Sequence, residues 1–526
     1  MWVGISVAGK KEESPPENPL LANAVQKFED VLNHIEQDYI KDIDLSILSE
    51  RAIDKLLVQL GPHNMYLNAK ELVQSNRELQ GELEGIGIEF VLLNDVAYVI
   101  TPVSGGPAER AGIKAGDEIM HIDDKNVMGQ GLNQAAINEK LRGPKGTKIK
   151  LTVMRKHIGK LLDFTIVREK TPFYSVEISY MIDSQVGYIK IAHFTANTFK
   201  EFKAAFHELQ KQGMSKLLLD LRGNSGDYMD VAVKIANSLL DQGQLIVSTK
   251  GKTNRYNAKY YAKGGEDTLD KGPVIVLIDE GTASAAEVIA GALQDNDRAL
   301  IVGRRSFGKG LIQIPIQLQD GSQFWLSVAR YYTPSGRFIQ KPYGEGMQTY
   351  CADAMARYKQ GEYFPADKIQ FDDVLKHQTS KGRTVYSGGG IMPDYFIPLE
   401  VYSYASYLAQ LQSKNAIQQY ALAYVDQYRE TLNAMEYEKY CSQFEVSELV
   451  LKKFIAQART LGVPHDDKIF YLAQPKIKLL LKAYMARSIW GEKGFYPLYH
   501  QTDTEFQKSL QLFDEAEALI RQPSSK

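Results

Sequence analysis

The stretch "DEGTASAAE", Asp279 to Glu287, places Ser284 among small residues, after the apolar run "VIVLI" and before the helix-like "VIAGALQD". A serine at such a turn has two uses. Ser284-Ala285-Ala286-Glu287 fits a capping box, in which a hydroxyl and a carboxylate each satisfy an orphan backbone N–H. The same hydroxyl can attack a carbonyl, provided that a base takes its proton. Nine histidines are present, and a Ser–His pair is the common solution. His193 follows "YIKIA" and His63 sits in "GPHN", but neither carries a local motif; each reads as a surface or packing histidine.

Lys309, in "SFGKG", is the better base. The chain from Ser284 to Lys309 reads as a helix over 285–294, a turn at Asn296-Asp297 and a strand over 299–302. A helix that returns to a parallel strand brings the far end of that strand back beside the helix N-terminus, within reach of Ser284. An ordinary lysine, with a pKa of about 10.4, cannot accept a proton at neutral pH, but burial disfavours the ammonium form. Phe307, Gly308, Gly310, Leu311 and Ile312 suit such burial. With the backbone extended from Lys309, Gln313 shares its face and can orient the amine. The bland alternative is a surface lysine in a turn.

These residues need a scaffold. "VGYIKIAHF", "KLLLDLR" and "VIVLIDE" read as strands, and "FKEFKAAFHEL" and "YMDVAVKIANSLL" as helices. That alternation implies βαβ units and a largely parallel sheet. "DLRGNSGD" and "DEGTASAAE" both follow strand C-terminal ends, where open α/β sheets carry their sites. Upstream, Val25, Phe28, Leu32, Ile35 and Tyr39 mark one helix face, and Ile53, Leu56, Leu57 and Leu60 another. Beyond Asp394 the chain is helical and tyrosine-rich, with a stripe at Leu451, Phe454, Ile455 and Ala458 and no chemistry-bearing motif.

Composition narrows the classes. The 526 residues, 44% hydrophobic, can build three or four domains of roughly 100–200 residues each. A net charge of −2 gives no footprint for nucleic acid or an anionic membrane. Cys351 and Cys441, the two cysteines, lack metal-ligand spacing and can pair or stay free. No metal or organic cofactor is expected. No apolar run reaches the ~18 residues of a membrane span. The apolar start before "KKEESPPENP" fits the tail of a signal or membrane anchor, and equally a disordered N-terminus. The helices at either end offer surfaces to a second copy of the chain.

From "GIGIEFVL" through "GGPAERAGIKAGDEIMHIDDKNV" to "KIKLTVMR" the chain resembles a PDZ domain. Gly85-Ile86-Gly87 can turn backbone N–H groups toward a terminal carboxylate, and the strand from Ile88 can accept a peptide by edge addition.

The ordered run "DLRGNSGD", "GTASAAE", "GALQDNDRALIVG", "SFGKG", "ARYYTPSGRFIQ" and "GGIMPD" resembles the carboxy-terminal processing peptidases, or tail-specific proteases, over about residues 24–400. The resemblance implies a serine endopeptidase with a Ser–Lys dyad: nucleophile Ser284, base Lys309 and assisting Gln313. Gly226 and Ala285 would form the oxyanion hole, and Gly85, Ile86, Gly87 and Ile88 would bind the peptide tail. It further implies protein substrates with accessible C-terminal tails and a bacterial envelope setting, in the periplasm. Three departures stand out: Gly226-Asp227 in place of a double glycine, Ala286 in place of a frequent serine, and "LGPHN" in place of Asp-Pro-His-Ser. The expected fold is multidomain α+β, with a disordered N-terminus and linker (1–23), N-terminal helices (24–76) and a PDZ domain (77–170). An α/β protease core of the crotonase/ClpP-like kind (171–400) and a helical C-terminal domain (401–526) follow. An inactive peptide-binding scaffold and a non-proteolytic α/β acyl-transfer enzyme are the alternatives.

Overall fold

The computed structural model describes residues 18–79, 82–93, 95–103, 105–264, 272–344, 346–364, 373–400 and 402–522. Most of the expected N-terminal tail, residues 1–17, lies outside the described residues. The central α/β core is a six-stranded sheet in the order Val176–Met181, Val186–Ile191, Lys216–Asp220, Val274–Ile278, Leu300–Gly303 and Tyr395–Phe396. The first pairing is antiparallel and the remaining four are parallel. Parallel strands are buried on both faces, which is why they read as continuous apolar runs.

The two faces sort by strict alternation. Leu217, Leu219, Val274 and Val276 pack under the helices Thr198–Lys211, Met229–Leu239 and Ala285–Asp295. Leu218, Ile275 and Leu277 pack on the opposite side, in one core with the C-terminal helices. Leu451, Phe454 and Ala458 lie in that core, as does the long helix Asp467–Trp490 through Ile477, Leu481 and Met485. The C-terminal region is therefore the second cover of this sheet.

A second, antiparallel sheet brings Leu311–Gln317 and Leu245–Gly251 onto Gln323–Tyr332. The N-terminal helical region also adds a short strand to this sheet: Met65–Leu67 pairs with Gln323–Tyr332, Met65 opposite Trp325. Of the helices before it, Pro19–Asp38 buries no residue and Leu45–Gln59 buries Leu57.

The PDZ unit is an antiparallel sheet from the edge strand Ile88–Leu93 through Val96–Pro102, Glu118–Ile122 and Lys148–Arg155 to Lys160–Val167. Helix Gln134–Leu141 lies beside the edge strand, its Gln134 Nε2 donating to Phe90 O at 3.3 Å. Glu82–Gly85 pairs with Glu169–Pro172, joining the entrance and exit of the unit. The C-terminal helices reach it: Arg487 meets Glu89 at 2.8 Å.

Candidate active site

Ser284 ends the turn after Val274–Ile278 and starts the helix Ala285–Asp295. Its backbone angles, φ +52° and ψ −114°, lie in a region that L-residues avoid. The turn admits little bulk, because a Cβ on Gly226 would lie 2.5 Å from the Ser284 Cβ. Ala285 and Ala286 are buried, so the small residues of "GTASAAE" are a packing requirement.

Glu287 holds this arrangement together. It forms the expected capping box with Ser284, whose N–H donates to Glu287 Oε2 at 2.8 Å. The same oxygen accepts from the Lys309 N–H, also at 2.8 Å. Oε1 accepts from the Gly308 N–H at 2.7 Å and from the Ser306 hydroxyl. Burial holds the Glu287 carboxyl above its ordinary value, and these donors offset only part of that rise. All four partners donate, so the cradle receives the ionised, acceptor-only form. One buried carboxylate thus ties the Ser284 backbone to the Lys309 backbone. The sequence showed its capping role; its second contact depends on the loop 304–310 folding back, which no local pattern encodes.

Lys309 is half-buried just before the strand Leu311–Gln317. Burial lowers it below the ordinary lysine value, while Asp227 and Glu287 pull it upward. Among the described residues, no hydrogen bond joins the Ser284 hydroxyl to the Lys309 amine. Gln313 Nε2 donates to Ser327 Oγ at 3.3 Å, and none of the described hydrogen bonds links it to Lys309. The strand starts only at Leu311, and its pairing register shifts between Ile312 and Gln313. The extra residue, Val328, lies on the partner strand, so the alternation along Leu311–Gln317 is kept while Gln313 contacts Ser327.

Gly226 and Ala285 meet as a possible oxyanion site requires, since a Cβ on Gly226 would lie 2.7 Å from Ala285 N. The Gly226 N–H, however, donates to Asn224 Oδ1 at 2.9 Å. In this conformation the loop keeps that donor to itself, and Ala285, at the positive end of its helix, offers the open N–H. Arg222 anchors the start of the loop. Its buried guanidinium bonds Asp220 in the sheet and Asp503 and Glu505 from the C-terminal helices.

Two histidines flank the site. His63 lies within Coulombic range of Lys309, bonds the Tyr350 hydroxyl at 2.7 Å, and is lowered to about 4, chiefly by burial. It is neutral and a poor proton acceptor near pH 7. His193 stacks on Phe173 with ring centroids 4.0 Å apart, and burial lowers it too. Neither makes a Ser–His pair with Ser284 among the described hydrogen bonds.

In the PDZ unit, Gly87 has φ +72°, and the Ile86 and Gly87 carbonyls accept from Ala108 and Val103 N–H. The Ile86 and Gly87 N–H groups donate to no protein group among the described residues. Ile88 opens the edge strand beside them. Both cysteines are free, and no group of metal-ligating side chains occurs among the described residues.

A cavity of about 730 Å³ lies between the sheet and the C-terminal helices, lined by Tyr188, Arg222, Arg304, Tyr496 and Asp503. It does not include Ser284 or Lys309.

Comparison with known proteins supplies the family. Residues 185–348 match peptidase family S41, residues 85–166 match the PDZ domain, and residues 407–491 match a family of unknown function. The chain is 39% identical over 318 residues to the carboxy-terminal-processing protease of Bartonella bacilliformis, covering 60% of this chain and 72% of that protein. It is 32% identical over 364 residues to carboxy-terminal processing protease CtpA of Bacillus subtilis, covering 69% of this chain and 75% of that one. A solved photosystem II D1 C-terminal processing protease is 32% identical, with 59% of this chain and 84% of that chain covered and a TM-score of 0.35. The chain belongs to the carboxy-terminal processing proteases, the serine peptidases of family S41.

Proposed function

We propose that Ser284 and Lys309 are the reacting pair of this protease. The carrying observation is the shared Glu287 oxygen, which accepts from both backbones and fixes the nucleophile and the lysine to one point. Neutral Lys309 takes the Ser284 proton as Oγ attacks a peptide carbonyl, then returns it to the leaving amine. Water hydrolyses the acyl-enzyme, again with the lysine as base. The Ala285 N–H stabilises the oxyanion, joined by that of Gly226 once the loop releases it from Asn224. Because burial lowers Lys309 and only its neutral form reacts, activity rises with pH through the lysine's depressed value.

The PDZ unit receives the substrate's tail, its carboxylate at Gly85-Ile86-Gly87 and its backbone along the strand from Ile88. A periplasmic location in the bacterial envelope follows from the same reading, and fractionation of producing cells checks it. The direct test is cleavage of a matched pair of peptides ending in a free acid or an amide. Ser284→Ala and Lys309→Ala each lower cleavage about 1,000-fold or more while the fold persists. Near wild-type cleavage by either variant sinks the pair. The amide is processed about ten- to a hundredfold more slowly, since it lacks the charge that the N–H groups receive. Equal rates remove the PDZ unit from end recognition.

A further inference from the structure

Two non-glycine residues of the cleft have positive φ: Ser284 at +52° and Asp227 at +137°. Strain of this kind persists where the surroundings use it. For Ser284 the use is evident, since it aims the nucleophile. Asp227 occupies a backbone conformation that glycine adopts freely, so its side chain needs a reason. It directly follows Gly226, which abuts Ser284 and Ala285 N. Its carboxylate accepts no hydrogen bond among the described residues, and the cation it faces is Lys309.

The other charges around the lysine are already committed. From the nucleophile helix comes Glu287, whose two oxygens are occupied by four donors. From the N-terminal loop comes His63, held neutral near pH 7 and itself facing Lys341. On its own side Asp227 faces Lys309 and Tyr228. Asp227 is thus the adjustable negative charge of the site.

We propose that Asp227 tunes the base: its carboxylate favours the ammonium form of Lys309 at rest, so the protease works at a more alkaline pH than its Ser–Lys pair would alone. This rests on the reading of Lys309 as the base. Removing the carboxylate removes an interaction that stabilises the ammonium, so more of the lysine is neutral at any given pH. The acid limb of kcat/KM then moves to lower pH. The Asp227 residue is exposed to solvent, which screens the pair, while burial of its carboxyl holds it above the usual carboxylate range and Lys309 pulls it down. The gain at neutral pH is accordingly about two- to fivefold, not orders of magnitude.

The test is kcat/KM against pH for the full chain and for Asp227→Asn and Asp227→Gly, with thermal melting of each. Asn keeps the backbone problem and loses the charge; Gly loses both. Both variants shift the acid limb to lower pH and raise cleavage near neutrality. Superimposable limbs in all three proteins overturn the proposal. So does a change confined to Gly, because the role of Asp227 is then conformational. Adding Lys309→Ala to either variant abolishes cleavage; retained cleavage there overturns the base assignment instead, which keeps the two failures distinct.

Discussion

The turn that carries Ser284 and the loop that carries Gly226 follow neighbouring parallel strands, yet they are held differently. In the turn, Thr282 Oγ1 donates to Leu221 O at 2.9 Å, the Ala283 N–H to Asn224 O at 2.8 Å, and the Ser284 N–H to Glu287. Glu280 accepts from Arg304 at 2.8 Å, and Asp279 accepts from the Gly281 and Gly223 N–H groups. The loop is fastened over its first residues, at Arg222, Gly223 and Asn224. Past Asn224 the Gly226 N–H has a partner, but that partner is the Asn224 side chain. Gly223 and Gly226 both have positive φ, and Asp227 adds its own strain. The Ser284 turn is preorganised, whereas the Gly226 N–H and the Asp227 charge beside it are held less tightly.

Breaking the rigid half has the largest effect. Glu287→Ala orphans the Ser284, Gly308 and Lys309 N–H groups and the Ser306 hydroxyl in a buried site. Unsatisfied buried groups cost about 1–3 kcal/mol each, so this variant loses several kcal/mol of stability and all measurable cleavage. Glu287→Gln keeps the volume but turns an amide toward donors. It stays folded and loses at least about a hundredfold in kcat. Denaturant melts and single-turnover cleavage separate the two. Wild-type kcat in Glu287→Gln contradicts the positioning role.

Loosening the anchored end of the loop comes next. Asp503 holds Arg222 and also caps the helix Thr504–Leu510 by accepting from the Phe506 N–H at 3.1 Å. Asparagine caps as well as aspartate does, so Asp503→Asn isolates the lost charge. Arg222 keeps Asp220 and Glu505. The expected cost is about 1 kcal/mol in stability and a severalfold fall in kcat with KM nearly unchanged. A rise in KM alone would place the C-terminal helices in substrate binding rather than in bracing the loop.

The same contrast governs what the sequence disclosed. Buried strands such as Lys216–Asp220 and Val274–Ile278 were legible because burial on both faces leaves unbroken apolar runs. Ser284 and Lys309 stand out in the sequence because each sits in a motif whose glycine and small neighbours have steric causes, and in the structure their backbones meet at Glu287. The stripe through Leu451 and Phe454 announced a buried face but not its partner, since amphipathicity carries no address. It packs in one core with the second face of the protease sheet. Met65–Leu67 is too short to show a period, and its pairing with Gln323–Tyr332 is wholly tertiary. The direction of the Gly226 N–H was illegible in principle, because a glycine loop permits more than one peptide orientation.

Gln313 gives the smallest effect and the sharpest reading of resting against working geometry. Its amide donates to Ser327 Oγ at 3.3 Å, and the Ser327 N–H in turn donates to Asn64 Oδ1 at 2.7 Å, in the loop that also carries His63. A neutral hydrogen bond contributes about 1 kcal/mol, so losing only this contact in Gln313→Ala costs about fivefold or less in kcat/KM. The acid limb of the pH profile stays in place, because Ser327 does not titrate. If Gln313 instead swings to Lys309 when substrate binds, the loss falls on kcat, and Ser327→Ala, which frees the amide, leaves kcat unchanged or raises it. The pair of variants decides between a strut of the second sheet and a partner of the lysine. Equal losses in Gln313→Ala and Ser327→Ala, with no change in pH dependence, identify the strut.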